Sequence, residues 1–215
     1  MRPLIEFVPR VLGRLMAIEL RRRERLRMEA LRKIATIDPT ALVDPGAAIS
    51  NYSGDPAKIV IGASASIQGS ILVMPQGGSV TIGNKTLVGP DSRVWSAGAI
   101  TIGSYVMISH GVNIHDNNSH STSWRERRRE IDIVYPTLHL TNHDFDLKPR
   151  PVVIEDDVWI GFGSTVLKGV TIGRGAIVGA NTQVMSDVEP FTVVAGNPMR
   201  VVRKLDETDS SNGEQ

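Results

Sequence analysis

The sequence predicts an all-β solenoid of stacked three-sided coils, preceded by an α-helix and interrupted by an extruded loop. Three observations predict it. Aliphatic residues recur every six positions through most of the chain. Small or turn-forming residues follow many of them, as Gly161 follows Ile160, Gly173 follows Ile172 and Gly179 follows Val178. Aromatic residues make up only 5% of the 215-residue chain, so the core must be aliphatic. A period of six fits neither a lone amphipathic helix nor a hairpin sheet, whose periods are 3.6 and 2. It fits short flat sides joined by tight corners, with one side chain per side pointing inward and Gly, Ala, Asn or Ser permitting the corner. Three sides make a coil, and successive coils stack as parallel strands about 4.8 Å apart.

The first segment, residues 1–38, is a basic helix. From Arg10 it is rich in Arg, Leu, Met, Glu and Ala, with Pro9 expected in the first turn. Residues 1–36 hold ten Arg/Lys against four Glu, a balance of +6; the remainder carries fourteen basic against nineteen acidic residues, or −5. Two readings of this helix stand: packing on the domain or a neighbouring subunit, or lying on an anionic membrane surface as a peripheral contact. No aromatic residue interleaves with its basic residues to stack on bases, so nucleic acid is not an expected partner. No run of 18 apolar residues predicts a spanning helix, and the N-terminus lacks an uninterrupted apolar stretch after its charge, so no signal peptide is read. The absence of cysteine excludes disulfides, thiolate zinc sites and a cysteine nucleophile, and fits a reducing, cytoplasmic compartment, where the membrane reading of the basic helix would place it on the inner face.

The second segment, residues 39–205, carries the repeat. Ile154, Ile160, Val166, Ile172, Val178 and Val184 keep the step without a break. Upstream, Ile102, Ile108 and Ile114 form one triplet, Ile82, Val88 and Val94 another, and Ile61, Ile67 and Val73 a third, with Val43 and Ile49 before them. Between the triplet ending at Ile114 and the run from Ile154 the rhythm stops, and residues 116–151 are expected to leave the coil as a loop. The stretch "HDNNSHSTSWRERRRE" opens that excursion. A last segment, residues 206–215, "DETDSSNGEQ", reads as an acidic disordered tail.

The segment "VVIEDDVWIGFGSTVLKGVTIGRGAIVGANTQVMSDVEPFTVVAGNPMRVVRKL" resembles the C-terminal half of hexapeptide-repeat O-acetyltransferases, including maltose and galactoside acetyltransferases and bacterial polysaccharide O-acetyltransferases. "VWIGFG", "VTIG" and "VAGNPMRVVRK" are its most specific parts, and the resemblance spans about residues 41–204. It implies a left-handed parallel β-helix, a homotrimer, acetyl-CoA as co-substrate lying between neighbouring β-helices, and a sugar or lipid-linked saccharide as acceptor. It covers neither the N-terminal helix nor the length of the excursion.

Acetyl transfer needs a hydroxyl made nucleophilic beside a thioester, and a histidine near its ordinary pKa can take the proton during attack. The resemblance places the catalytic base at His120, with "DNNSH" matching an acidic residue and asparagines before the histidine. His115, after the inward Ile114, faces outward near the groove as a substrate contact or secondary base candidate; His110 reads as structural or interfacial; His139 and His143 are weak candidates. Asp116 or Asn118 is expected to hold the His120 ring, although an aspartate here can equally form a turn. The same resemblance assigns Trp159, Phe162 (a serine in galactoside acetyltransferases), Ala180, Arg200 and Arg203 to acetyl-CoA. Surface aromatic and solvated-charge readings remain for Trp159 and the arginines. Met185 and Ser186 replace a Thr-Lys pair, which puts one phosphate contact in doubt. Trp124 can stack on a sugar, and Arg125, Arg127, Arg128 and Arg129 can hold an anionic sugar, a lipid diphosphate or CoA; a plain solvated loop is the other reading. No metal is expected. Histidines five residues apart keep a γ-type carbonic anhydrase with a three-histidine zinc site as an alternative, and a non-catalytic β-helix scaffold as another.

Overall fold

The computed structural model of the chain describes residues 3–134, 136 and 145–207, with the side chains of the N-terminal helix described from residue 16. His139 and His143, and residues 208–215 of the acidic tail, lie outside the described residues.

The six-residue step folds as a parallel β-helix with three faces, of six, eight and six strands. The inward residues stack in register. Ile37, Ile61, Ile82, Ile102, Ile154 and Ile172 line the first face. Val43, Ile67, Val88, Ile108, Ile160, Val178 and Val194 line the second. Ile49, Ile71, Val94, Ile114, Val166 and Val184 line the third. All are below a tenth exposed and form one continuous core. Burying each such side chain contributes about 1.5–3 kcal/mol, so a narrow aliphatic column stabilises the solenoid without aromatics.

Two members of the repeat differ from the sequence expectation. Ile37 completes the first triplet, so the coils begin at Thr36–Ile37 rather than at Val43. In the second coil Ile71, four residues after Ile67, aligns with Ile49 and Val94; Val73 lies two residues further along the same strand, opposite Ser96. Gly69 makes this short corner possible. A Cβ there would stand 2.5 Å from the Ser92 carbonyl oxygen and 2.9 Å from that of Gly89, in the coil above.

The corners repeat their own chemistry. Between the second and third faces, Asp91, Gly111, Gly163 and Asn181 take left-handed backbone conformations with φ of 59°, 68°, 67° and 55°. Their amides climb the stack: Gly111 N–H donates to the Pro90 carbonyl, Gly163 to His110 and Asn181 to Phe162. Hydroxyls inside the corners satisfy carbonyls of the next coil, as Ser92 does for Ser109 and Ser164 for Gly179. Among the described residues no buried side-chain polar atom lacks a partner.

Helix α1 spans Pro3–Leu31. Pro3, not Pro9, occupies its first turn, where proline's missing N–H costs no bond; Pro9 falls in the interior at the loss of one backbone hydrogen bond. Among the described residues its C-terminal end meets the solenoid, through Met28 and Leu31 on the core and the Arg27 guanidinium on the Val43 and Asp44 carbonyls. Met16, Ile18, Leu20 and Leu26 are exposed. No helix among the described residues is long and apolar enough to cross a membrane.

The excursion is not a plain loop. It carries a second helix, α2, over Trp124–Val134. Ile133 and Val134 of α2 pack with Met74 on a small separate core of Ala97, Phe145 and Leu147. Leu147 and Phe145 lie on the returning arm, so this core ties helix, arm and solenoid together.

Candidate active site

The excursion leaves the third face after the strand Asn113–His115. Its first residue, Asp116, is fully buried. One carboxylate oxygen accepts from the Ala97 amide at 2.8 Å and the Asn117 side chain at 2.9 Å; the other accepts from the Ser96 hydroxyl at 2.6 Å and the Gly98 amide at 2.9 Å. Three donors, Ser96, Ala97 and Gly98, therefore clamp the loop's root to the preceding coil. The returning arm is fastened alongside: Arg150 N–H donates to the Asp116 carbonyl, and Asn118 N–H to that of Leu147.

The next residues make a tight turn. The Asn117 side-chain oxygen accepts from the Ser119 amide at 2.7 Å, and Ser119 takes φ of 61°. This turn presents His120 outward. Its Nδ1 lies 2.9 Å from Glu130 Oε1, with the histidine side chain 58% exposed and the glutamate only 14%. Glu130 comes from α2, and helix position is fixed at its start by Arg127, whose guanidinium donates to the carbonyls of Ser121 and Thr122 at 2.9 Å each. His120, Arg127, Glu130 and Ile131 line a pocket of about 180 Å³.

The expected partners of His120 are thus corrected. Asp116 cannot orient the ring because all its hydrogen-bonding capacity points into the solenoid. Asn118 contributes backbone, its carbonyl accepting from the His120 amide at 2.7 Å, and its neighbour Asn117 supplies the turn. Glu130 is the residue that sequence reasoning missed. The signal available was Ser123-x-x-Glu126 ahead of a helix-forming run, a capping pattern that announces α2.

The other histidines stand apart. His115 is half-buried, its ring 5.2 Å from that of Trp95 across the third face. Burial pushes its pKa below the ordinary histidine value; Asp116 opposes this and Arg93 adds to it. Burial thus disfavours the charged ring of His115, which packs against Trp95. His110 sits at the second corner, stacked on Phe162 with centroids 5.1 Å apart and planes within 3°. His110, His115 and His120 occupy three different elements with three different ring partners. Among the described residues no group of three His, Asp or Glu is arranged to hold a metal ion.

The residues assigned to acetyl-CoA gather on or beside the second face. Its outward row reads Leu87, Met107, Trp159, Ile177 and Val193 in register, while the third face shows Ser70, Arg93, Asn113, Thr165 and Gln183. From Leu87 to Val193 the second face is apolar outside as well as inside. Trp159 and Met107 are about half exposed. Phe162 and Ala180 occupy equivalent positions in successive corners, both exposed. Arg200 and Arg203 lie on the terminal strand Arg200–Lys204, which pairs antiparallel with Thr192–Ala195 at the end of the same face. Met185 is exposed just past the third-face strand Gln183–Val184. Trp124 is separate from all of these, on the first turn of α2.

Residues 151–185 match the family described as bacterial transferase hexapeptide (six repeats). A putative acetyltransferase of Schizosaccharomyces pombe is 32% identical over 130 residues, covering 60% of this chain and 55% of that protein. The chain spans about half the length, or less, of the curated relatives it matches. A hexapeptide-repeat-containing acetyltransferase from Vibrio cholerae, complexed with acetyl coenzyme A, superposes with a TM-score of 0.52 at 26% identity, covering 86% of this chain and 79% of that one. An N-acyltransferase from Bacillus cereus, in complex with dTDP and 3-hydroxybutyryl-CoA, shares the fold with a TM-score of 0.64 at 19% identity, covering 85% and 88%. The resemblance read from "VWIGFG" and "VTIG" is borne out in the repeat and in the fold.

Proposed function

We propose that the chain is an acyl-CoA-dependent acetyltransferase that moves the acetyl group of acetyl-CoA to a hydroxyl of a sugar or polysaccharide precursor. The observation that carries this reading is the His120–Glu130 pair. With Nδ1–H donated to the Glu130 carboxylate, the ring is held in the tautomer whose Nε2 lone pair faces outward. As the acceptor oxygen attacks the thioester carbonyl, Nε2 takes its proton. When the C–S bond breaks, the same proton passes to the departing sulfur. Glu130 stabilises the imidazolium between the two transfers, as a third group does in nucleophile–base–acid arrangements.

The second face suits the co-substrate. Its apolar outward row, Met107 to Ile177, complements a pantetheine arm, and the exposed guanidinium groups of Arg200 and Arg203 suit phosphates, which they bind bidentately. An apolar face of this kind is also what a neighbouring copy would cover, which supports a homotrimer; sedimentation should give about three times the 23.4 kDa chain mass. The exposed Met16, Ile18 and Leu20 beside Arg21, Arg22 and Arg23 are compatible with a peripheral contact of α1 with anionic membranes. Removing residues 1–31 should then lower binding to anionic liposomes.

The central test is thiol release from acetyl-CoA against a panel of hydroxyl and amino sugars. His120→Ala should lower turnover by roughly 10²–10⁴-fold, with hydroxyl acceptors favoured over amines. A preference for amines moves the reading to N-acetylation. Unchanged turnover in the variant refutes His120 as the base, and the absence of any acetyl transfer favours a non-catalytic scaffold.

A further inference from the structure

The four arginines of α2 do not share one role. Arg127 is spent on the Ser121 and Thr122 carbonyls, and Arg129 pairs with Glu126 at 3.5 Å and lies over the Phe145 ring. Arg125 and Arg128 instead stand over the ring of Trp124, their guanidinium carbons 4.6 and 5.3 Å from its centroid. Trp124 itself is 52% exposed. Neither guanidinium forms an ion pair with a carboxylate among the described residues.

Stacking on an indole engages the flat face of a guanidinium and leaves its in-plane N–H donors free. It also restrains a long side chain before any ligand arrives, which lowers the entropy lost on binding. Two such forks converging on one ring make a site for a multi-oxygen anion, a carboxylate or a phosphate, which arginine binds through paired hydrogen bonds. The position matters too. Trp124, Arg128 and Ile131 follow one helical stripe at i, i+4 and i+7, and Ile131 lines the pocket beside His120. An acceptor whose hydroxyl stands at His120 therefore has the Trp124 cluster further along the same face of α2.

We propose that Trp124, Arg125 and Arg128 form an acceptor subsite for an anionic saccharide, one bearing a carboxylate or a phosphate close to the hydroxyl that is acetylated. This rests on the acetyltransferase reading above and narrows its substrate class. The alternative use of the cluster, holding the phosphates of CoA, is an outcome of the test.

The test compares the full chain with the Arg125→Gln/Arg128→Gln variant on galacturonic acid, its methyl ester, galactose 6-phosphate and galactose. Thiol release gives kcat/KM for each, and calorimetry gives affinity without turnover. The native chain should favour an anionic sugar over its neutral twin by about tenfold, the scale of a few solvent-screened charge contacts. The variant should lose that preference with its KM for acetyl-CoA unchanged, and the uronate and phosphate arms tell which anion is read. Arg125→Lys/Arg128→Lys keeps the charges without the forks and should fall between the two. The helix carries no buried residue, so the variants should fold, as circular dichroism would verify. Equal affinity for charged and neutral sugars, no binding of either anion, a preference that survives in the Gln variant, or a loss confined to the acetyl-CoA KM would each overturn the proposal. Charge discrimination in calorimetry without thiol release from any acceptor would instead sink the acetyltransferase reading and leave the subsite standing.

Discussion

Replacing Glu130 separates what the carboxylate does for His120 from what its geometry does. In Glu130→Gln the amide oxygen can still accept from Nδ1–H at the 2.9 Å position, so the tautomer is kept and only the charge is lost. Two unit charges about 4 Å apart interact by about 1 kcal/mol in water and about 4 kcal/mol at an effective dielectric of ~20. With the imidazole 58% exposed and the carboxylate 14% exposed, solvent screening sets the value between these limits, about 2 kcal/mol. That corresponds to a fall in kcat of about 30-fold, since each 1.36 kcal/mol is about tenfold in rate. Glu130→Ala also frees the ring to rotate and exchange tautomers, and its fall should reach about 10²-fold or more. The assay is thiol release from acetyl-CoA at saturating acceptor, with thermal melting to verify that α2 stays docked. If both variants keep kcat within about twofold while His120→Ala abolishes turnover, Glu130 does not assist the base and this reasoning is wrong.

Four further outcomes follow from the same geometry. His115 has a pKa below its ordinary value, so the unfolded chain binds a proton near pH ~6.5 that the folded chain refuses; its contribution to stability is complete above ~6.5 and is lost as pH falls toward the folded value, and His115→Phe should flatten the melting temperature between pH 7 and 5. Asp116→Ala leaves the Ser96 hydroxyl and the Ala97 and Gly98 amides without their acceptor in the core, and should cost about 3 kcal/mol in denaturant unfolding. In Gly83→Ala the new Cβ would stand 2.5 Å from the Gly103 carbonyl carbon of the next coil, backbone that cannot swing aside, and about 1–3 kcal/mol should be lost in the same measurement. Because Asn118 and Leu147 are joined by a backbone hydrogen bond, residues 119–146 can be replaced by an Asn-Gly turn; the strand signal in circular dichroism should persist while turnover disappears.

What was legible in the sequence is what repeats. An inward Ile or Val every sixth residue can be read along the chain because each coil meets the same neighbours as the last. Val73 misled because Gly69 shortens its corner by two residues, and only contact with Ser92 in the next coil shows why. Ile37 was hidden by Pro39, which reads as a boundary between helix and repeat. Inside the excursion no period exists to follow. The pattern at Ser123 could have announced a helix where a loop was expected, but the pairing of His120 with Glu130 depends on how α2 docks on Phe145 and Leu147, a tertiary contact that no local spacing encodes. Asp116 was read toward His120 or a local turn, whereas its partners, Ser96 to Gly98, lie about twenty residues earlier and one coil away.

The interruption also explains how the fold presents an exposed histidine outside its column. Ile102 and Ile154 are neighbours on the first face, and Ile114 and Val166 on the third, as though the intervening residues were absent. A solenoid is stabilised coil by coil, so an insertion at a corner leaves the register on either side intact. A base at an inward position would replace a buried Ile or Val and lose its hydration, and even His115, next to the inward Ile114 on a coil strand, is partly desolvated. His120 avoids that cost by standing on a turn outside the column. Its position is set instead by the clamp on Asp116 below it and by a short helix beside it. The loop therefore needs rigid ends more than a rigid middle, and the buried aspartate that sequence reading assigned to chemistry serves the site as the anchor of its root.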